Sequence, residues 1–357
     1  MQNLTKSKKL DGNILVLGGY GAVGRVTALD LARRLPGQVI VAGRDRARAA
    51  ELAAGSGGTL LPAQVDLADP ASLEQALEGV CLVVLSVEPR TPAVHPARRL
   101  FERGIGLVDV TATHSLITEV ERHGTLARTG EATALLSVGV APGLTNLLAR
   151  RAAEAVGGAE RLDISVVLGA GEAHGKDAVR WTVAQLMEGD TGGARPLKVA
   201  TWPPGRAERT HHPFPFSDQH TLRRTLGVPD VTTRLGLDSG ALTGLLFGLR
   251  RAGVFRAARR ARLDGLLTAS LTRIHLGGDR FAVRVDAHRG GRRVTRALTA
   301  TSQSRFTGLT AAEVAARVYE GGLPAGVHHI EEVAALADVP EALAAHGLTA
   351  WAGDTGA

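Results

Sequence analysis

The sequence predicts an α/β protein: a doubly wound parallel sheet over the first 150 residues, then a second α/β domain with a mixed sheet. Three observations carry this. Apolar runs alternate with helical runs up to about residue 150, a glycine-rich turn joins the first pair, and after Gly143 the rhythm changes. Strands that are apolar throughout need cover on both faces, which helices between parallel strands supply.

The first strand is NILVLGG (13–19), and AVGRVTALDLARRL (22–35) follows as a helix with apolar residues at helical spacing. QVIVAGR (38–44) and DRARAAELAAG (45–55) form the second pair, LLPAQVDL (60–67) and PASLEQALEG (70–79) the third. VCLVVLSV (80–87) is the fourth strand and PAVHPARRLFERG (92–104) its helix. GLVDVT (106–111) and ATALLSVG (132–139) are the fifth and sixth strands. LTNLLARRAAEAV (144–156) is helical, RLDISVVLG (161–169) a strand, and DAVRWTVAQLMEG (177–189) a helix. Residues 190–240 are rich in Pro, Gly and His. Later strands are expected at 272–278, 280–289 and 293–303, with one solvated face, and a helix at 311–322.

With 357 residues the chain has room for two domains, at roughly 100–200 residues each. The formal charge of +7 is mostly arginine, concentrated in LRRAGVFRAARRARL (249–263) and AHRGGRRVTRAL (287–298). Neither stretch is interleaved with aromatic residues, and no nucleic-acid-binding motif is present, so nucleic acid is not an expected partner. Arginine also clamps the carboxylates and phosphates of small molecules. The single cysteine, Cys81, excludes a disulfide framework and a cysteine metal site. No run reaches the ~18 apolar residues of a membrane helix, and the apolar stretch after the basic start is broken by glycines. A cytoplasmic protein with no membrane partner and no metal is expected, and a homodimer is the expected assembly.

In ILVLGGYGAVGR (14–25) the spacing is Gly18-x-x-Gly21-x-x-Gly24, with Gly19 added, between a strand and a helix. That context makes it a dinucleotide-binding turn. Gly18 permits the tight turn, Gly21 lets backbone approach a pyrophosphate, and Gly24 lets the helix pack on the strand. The helix N-terminus receives the phosphate charge. NAD-binding chains usually carry an acid at the end of the second strand. Here the strand ends VAGRD, with Gly43 leaving space, Arg44 placed to pair with a 2′-phosphate and Asp45 placed to cap the next helix. NADP(H) is the expected cofactor. Its expected site comprises Gly18, Gly19, Tyr20, Gly21, Ala22, Val23, Gly24, Arg44 and Asp45. Later strand ends contribute Asp66, Leu67, Ser86, Val87, Gly139 and Ala141.

A short-chain dehydrogenase would need a Tyr-x-x-x-Lys pair, and neither Tyr20 nor Tyr319 has lysine four residues on. A semialdehyde dehydrogenase would need a nucleophilic cysteine, and Cys81 lies in an apolar strand. The chain instead resembles the saccharopine dehydrogenase (saccharopine reductase-like) superfamily. The resemblance rests on ILVLGGYGAVGR, VAGRD, SVGVAPGLTNLLA (137–149), GAGEAHGKDAVRWTV (169–183), PFSDQHTLRRTLGVP (215–229) and GLPAGVHHIEEV (321–333). It implies a Rossmann domain (1–145), an inserted second α/β domain for substrate and dimerisation (146–304), and a C-terminal segment (305–357) returning to the first domain. It also implies NADP-linked hydride transfer to a C=N bond of an amino-acid-derived or opine-like, carboxylate-bearing substrate. Two loops depart from the family: Glu88-Pro89 replaces a glycine-proline, and TATH (111–114) replaces a Gly-Glu. Saccharopine itself is therefore not the expected substrate.

Imine reduction needs a proton donor for nitrogen and cations for carboxylates. His174, Asp218 and His114 are the catalytic candidates; Lys176, Arg180, Gln219, His220 and Arg223 are the substrate-binding ones. His174 serves equally well as a helix cap, Asp218 as part of a hydrogen-bonded turn, and the pair His328-His329 is expected to be structural. Two other functions suit the same motifs: a non-catalytic NADP-binding regulator, and a reductase of C=C or C=O bonds.

Overall fold

The structure, a computed structural model, describes residues 9–172, 175–188, 193–201, 208–273 and 277–355. β1 (Asn13–Leu17), α1 (Ala22–Arg34), β2 (Val39–Gly43), α2 (Arg46–Ala54), β3 (Leu60–Gln64), α3 (Pro70–Ala76) and β4 (Val80–Leu85) open the chain. α4 (Ala97–Glu102), β5 (Gly106–Asp109), α5 (His114–Arg122), α6 (Gly124–Thr129) and β6 (Thr133–Leu136) follow. Next come α7 (Thr145–Ala155), β7 (Arg161–Leu168), α8 (Lys176–Met187), β8 (Leu197–Val199), β9 (Arg209–Pro213), α9 (Asp218–Thr225) and β10 (Asp230–Leu237). Then α10 (Gly240–Arg251), α11 (Val254–Arg260), α12 (Asp264–Arg273), β11 (Arg280–Arg289) and β12 (Arg292–Thr301). The chain closes with α13 (Gln303–Glu320), β13 (Gly326–His329), α14 (Val339–Ala342) and β14 (Thr349–Thr355).

Contacts divide these elements into two compact units, residues 1–139 with 307–342 and residues 140–306 with 343–357. The first unit holds a parallel sheet in the order β13-β6-β5-β4-β1-β2-β3. Winding reverses between β1 and β4, the position at which doubly wound sheets open a crevice for ligand. Ile14–Leu17 and Leu82–Leu85 are at most 1% exposed, and each such side chain contributes about 1.5–3 kcal/mol by burial. α13 packs tightly on α1 because position 308 is glycine: a Cβ there would lie 2.7 Å from the Val23 carbonyl oxygen. Thr27 Oγ1 donates to the Gly308 carbonyl at the same crossing, 3.1 Å away.

The second unit holds a mixed sheet in the order β14-β12-β11-β7-β10-β9-β8, in which only β7 and β10 pair in parallel. Several details differ from the sequence reading. The parallel sheet gains a seventh strand, β13, beside β6. Residues 343–357 join the second unit, because β14 pairs along β12 and completes that sheet's edge. Within 190–240, where the sequence reading assigned no elements, the described residues form β8, β9, α9 and β10, and the VTTRLGL run of β10 pairs with β7 from end to end. No strand spans 272–278, because α12 runs on to Arg273; residues 274–276 lie outside the described ones. Gly277 and Gly278 then turn beside Asp238, where a Cβ on Gly277 would meet the carboxylate at 2.8 Å.

The alternating strands of this unit predict a solvated face, yet two arginine–aspartate pairs are buried on them. Arg284 holds Asp286 through two bonds of 2.8 Å, and Thr295 Oγ1 donates to the same carboxylate. Arg234 holds Asp163 at 2.7 Å. Segment 195–200 lies over them, with the Arg195 and Ala200 carbonyls accepting from Arg234 and Arg284. Buried charges persist only when paired and hydrogen-bonded. Asp286→Ala, which strands Arg284, is expected to destabilise the protein by about 3–5 kcal/mol in urea unfolding. An effect below about 0.5 kcal/mol would show that the pair contributes nothing.

His211 in β9 is fully buried, its ring lying where a Cβ on Gly236 would come within 2.8 Å. Burial pushes its imidazole from 6.5 down to about 4. The unfolded chain therefore takes up a proton near 6.5 while the native state does not until near 4. The stability this provides is complete above pH 6.5 and lost as pH falls towards 4. The difference in unfolding free energy between wild type and His211→Gln should shrink over that window, by on the order of 3 kcal/mol. A constant difference would mean that the ring titrates normally.

Candidate functional site

The turn between β1 and α1 is built from near-collisions. A Cβ on Gly24 would lie 2.3 Å from the Gly18 carbonyl oxygen, and one on Gly19 would lie 2.6 Å from Val41 Cγ2. Gly18 has φ +75°, and its own Cβ would press on the Ser86 carbonyl at 2.9 Å and Val87 Cβ at 3.0 Å. Gly21 differs: a Cβ there would meet only the Gly18 oxygen, at 3.2 Å, and otherwise stands in the open. Gly21 is also the N-cap of α1, with no side-chain cap and no acidic residue in the first turn. The N–H groups of Ala22, Val23 and Gly24 thus begin the helix where an anion can approach.

Beyond β2, a cavity of about 690 Å³ is lined by Tyr20, Arg44, Asp45, Arg46, Arg48 and Gln64. Arg44, Arg46 and Arg48 are all exposed there. The Tyr20 ring fills the space left by Gly43, since a Cβ on Gly43 would fall 2.6 Å from it. Its hydroxyl accepts from Asp45 N at 2.8 Å, and the Arg48 guanidinium stacks over the ring at 4.6 Å. Asp45 caps α2 by accepting from Arg48 N. Gln64 Nε2 donates to the Arg44 carbonyl at 3.1 Å. Three guanidinium groups around one cavity suit a dianionic phosphate monoester, and the open helix terminus suits a pyrophosphate. Both features fit an adenine dinucleotide carrying a 2′-phosphate.

Of the remaining cofactor candidates, Asp66 Oδ1 accepts from Ala68 N at 3.0 Å, and Leu67 and Val87 pack on the apolar core. Ser86 N–H donates to the Leu17 carbonyl at 2.9 Å. Gly139 closes the first unit and Ala141 lies in the second.

The carboxyl ends of β4 and β5 carry an acidic cluster that the sequence reading missed. The Glu88 carboxylate accepts from Thr113 N at 3.1 Å and Ala112 N at 3.4 Å. Burial pushes its pKa above the ordinary glutamate value and the Asp109 charge adds to this, against the pull of those hydrogen bonds. His95 Nδ1 accepts from Ala97 N, which places the ring proton on Nε2, donated to Asp109 Oδ2 at 3.0 Å. Asp109 Oδ1 accepts from Thr111 N at 2.8 Å. His114, the first residue of α5, is exposed and directly follows Thr113. The sequence signal was the departure at Glu88-Pro89; nothing in it paired His95 with Asp109.

A second buried chain joins Ser137, His329 and Glu121. Ser137 Oγ lies 2.8 Å from His329 Nδ1, and His329 Nε2 lies 2.7 Å from Glu121 Oε1. Ser137 and His329 are almost wholly buried, so this chain clasps β6, β13 and α5 together.

In the second unit, His174 lies outside the described residues. Lys176 is the first residue of α8, and Arg180 pairs with Asp177 on the same helix at 2.5 Å. Asp218 is fully buried at the start of α9, accepting from Thr233 Oγ1 at 2.6 Å. Gln219 Nε2 donates to the Phe214 carbonyl, Arg223 donates to the Val231 carbonyl at 2.8 Å, and His220 is exposed. The motif around His174 also has a packing role. Cβ atoms on Gly169 and Gly171 would strike the backbone of residues 277–279, and Glu172 accepts from Gln303 N and Ser304 N at the start of α13.

Residues 14–135 match the sequence family described as Saccharopine dehydrogenase NADP binding domain. No curated protein sequence matches the chain. Among solved structures, apo saccharopine dehydrogenase (L-Glu forming) from Saccharomyces cerevisiae is similar over 97% of this chain and 100% of its own, at 16% identity and TM-score 0.65. GenD2 from gentamicin A biosynthesis, in complex with NAD, aligns over 83% of this chain and 74% of its own, at 14% identity and TM-score 0.37. The RhlG/NADP complex of Pseudomonas aeruginosa aligns over 34% and 65%, at 13% identity and TM-score 0.24. The first of these shows a shared fold.

NADP(H) is the cofactor of this domain. Arg44→Ala should weaken NADPH binding about ten- to a hundredfold and leave NADH almost unchanged, since only the former carries the 2′-phosphate. Gly21→Val should fold normally yet lose NADPH, its side chain standing where the pyrophosphate approaches. Titration of cofactor fluorescence reads both; equal losses for the two cofactors would remove Arg44 from the phosphate site.

Proposed function

We propose that the chain is a saccharopine dehydrogenase-like, NADP-dependent oxidoreductase that reduces the C=N bond of an imine derived from an amino acid, or one of opine type; the match of residues 14–135 to an NADP-binding domain family and the fold shared with a saccharopine dehydrogenase support this. The observation that carries this reading is the acidic cluster at the carboxyl ends of β4 and β5. Val87, one residue before Glu88, abuts the glycine turn at Gly18, so the cluster adjoins the dinucleotide cradle within one unit. NADPH, held by the glycine turn and the Arg44 cavity, supplies the hydride when bound.

Hydride addition to an imine carbon leaves nitrogen in need of a proton. A carboxyl group whose pKa is raised by burial retains its proton closer to neutrality than a solvated one. Glu88 is such a group, and His114 stands two positions beyond the Ala112 N–H that Glu88 holds. In this reading Glu88 or His114 protonates nitrogen, and the His95–Asp109 pair fixes the β5 end through Thr111 N–H. Lys176, Arg180, Gln219, His220 and Arg223 are the proposed substrate-binding groups of the second unit, and His174 remains a proposed proton donor. Asp218, bonded to Thr233 and fully buried, acts as the anchor of α9.

The test is NADPH oxidation with a panel of primary amines paired with 2-oxo acids, compared with each 2-oxo acid alone. Turnover that requires the amine supports imine reduction. Turnover with the oxo acid alone points to C=O reduction, and tight NADPH binding without turnover points to a regulator. Glu88→Gln should lower turnover by about 10²–10⁴-fold without changing NADPH affinity. Unchanged turnover across pH would remove Glu88 from the chemistry.

A further inference from the structure

The second unit presents an outer face that its own fold leaves apolar. Of six large apolar side chains exposed among the described residues, Leu245, Leu249, Val254, Leu263 and Leu266 lie within one stretch, α10 to α12, at 39–64% exposure. α10 turns Thr243 and Phe247 inward, where Phe247 stacks on His212 at 4.3 Å. Its opposite stripe is Ala241, Gly244, Leu245, Gly248, Leu249 and Ala252, all exposed. A surface helix ordinarily carries polar residues on that stripe. A Cβ on Gly244, Gly248 or, in α12, Gly265 would meet nothing within 4 Å. Phe255 anchors α11 from beneath, so the outward groups belong to a built face.

The same stretch is strongly cationic. Between Gly240 and Leu266 there are six arginines, Arg250, Arg251, Arg256, Arg259, Arg260 and Arg262, against a single acidic residue, Asp264. All the arginines but Arg250 are exposed. We propose that α10–α12 dock in the plane of an anionic lipid surface, with the leucines entering the headgroup layer and the arginines meeting phosphate and carboxylate headgroups. Apolar contact combined with anionic attraction is the signature of an interfacial helix. The mode is peripheral, because no helix among the described residues is long and apolar enough to cross a membrane. A second copy of the chain fits poorly: a two-fold contact through this face would set arginines against arginines. This inference departs from the expectation of no membrane partner, which rested on the lack of a spanning run.

The full chain is spun with vesicles of phosphatidylcholine alone, or of phosphatidylcholine and phosphatidylserine in equal parts. It should pellet with the second and not the first, and added salt should release it. Leu245→Ser with Leu249→Ser, and separately Arg259→Glu with Arg260→Glu, should each weaken partition by about tenfold or more. Circular dichroism checks folding, and if the leucine pair fails to fold the arginine pair decides. Lack of partition, equal partition onto neutral vesicles, or partition unchanged in the arginine pair overturns the proposal. So does a dimer that the leucine pair converts to monomer, which would make a second copy the occupant. Binding to an amphipathic Glu/Leu peptide without binding vesicles also overturns it, in favour of an acidic protein.

Discussion

The approach of α1 to the turn beneath it constrains everything around the dinucleotide site. The backbone of Gly18 lies so close to Gly24 that no side chain can stand between them. That closeness brings the first N–H groups of the helix to the carboxyl end of β1, beside the reversal of the winding. The neighbouring strands adapt to it: Val41 closes over Gly19, and the β4 end presses on Gly18. The open helix terminus and the packing of the parallel sheet therefore rest on the same set of contacts, which is why a single short segment carries so much of the fold.

Much of the first unit was legible because its signals are local. The apolar runs, the glycine spacing and the Arg44 cation all lie within a few residues of what they determine. The second unit was harder. β10 stood in a stretch dominated by Pro, Gly and His, although GVPD before its VTTRLGL run and DSG after it mark the bounds of a strand. α12 continued past the point where an alternating pattern suggested a strand, because the leucines and alanines before it favour helix.

The site was half legible. The expected cofactor residues sit in the glycine turn and at strand ends that the sequence marks, whereas the acidic cluster depends on topology. His95 and Asp109 are 14 positions apart, and Ser137 and His329 are 192 apart, so only the order of strands in the sheet brings each pair together. Glu88 was visible as an oddity of the loop after β4, but its burial and its hold on the start of α5 are properties of folded space. The buried Arg–Asp pairs of the mixed sheet mislead for the same reason: alternation reports which residues share a face and is silent on what covers it.

The Tyr20 ring seated over Gly43 has a consequence for how this lineage can change. The two positions are separated in sequence, yet each defines the other: a larger residue at 43 evicts the ring, and eviction removes both the acceptor for Asp45 N–H and the shelf under Arg48. A side chain gained at position 43 must therefore be matched by a change at position 20. Remodelling the cavity around Arg44 beyond that one side chain accordingly touches two loops at once, the turn that carries Tyr20 and the β2 end that carries Gly43.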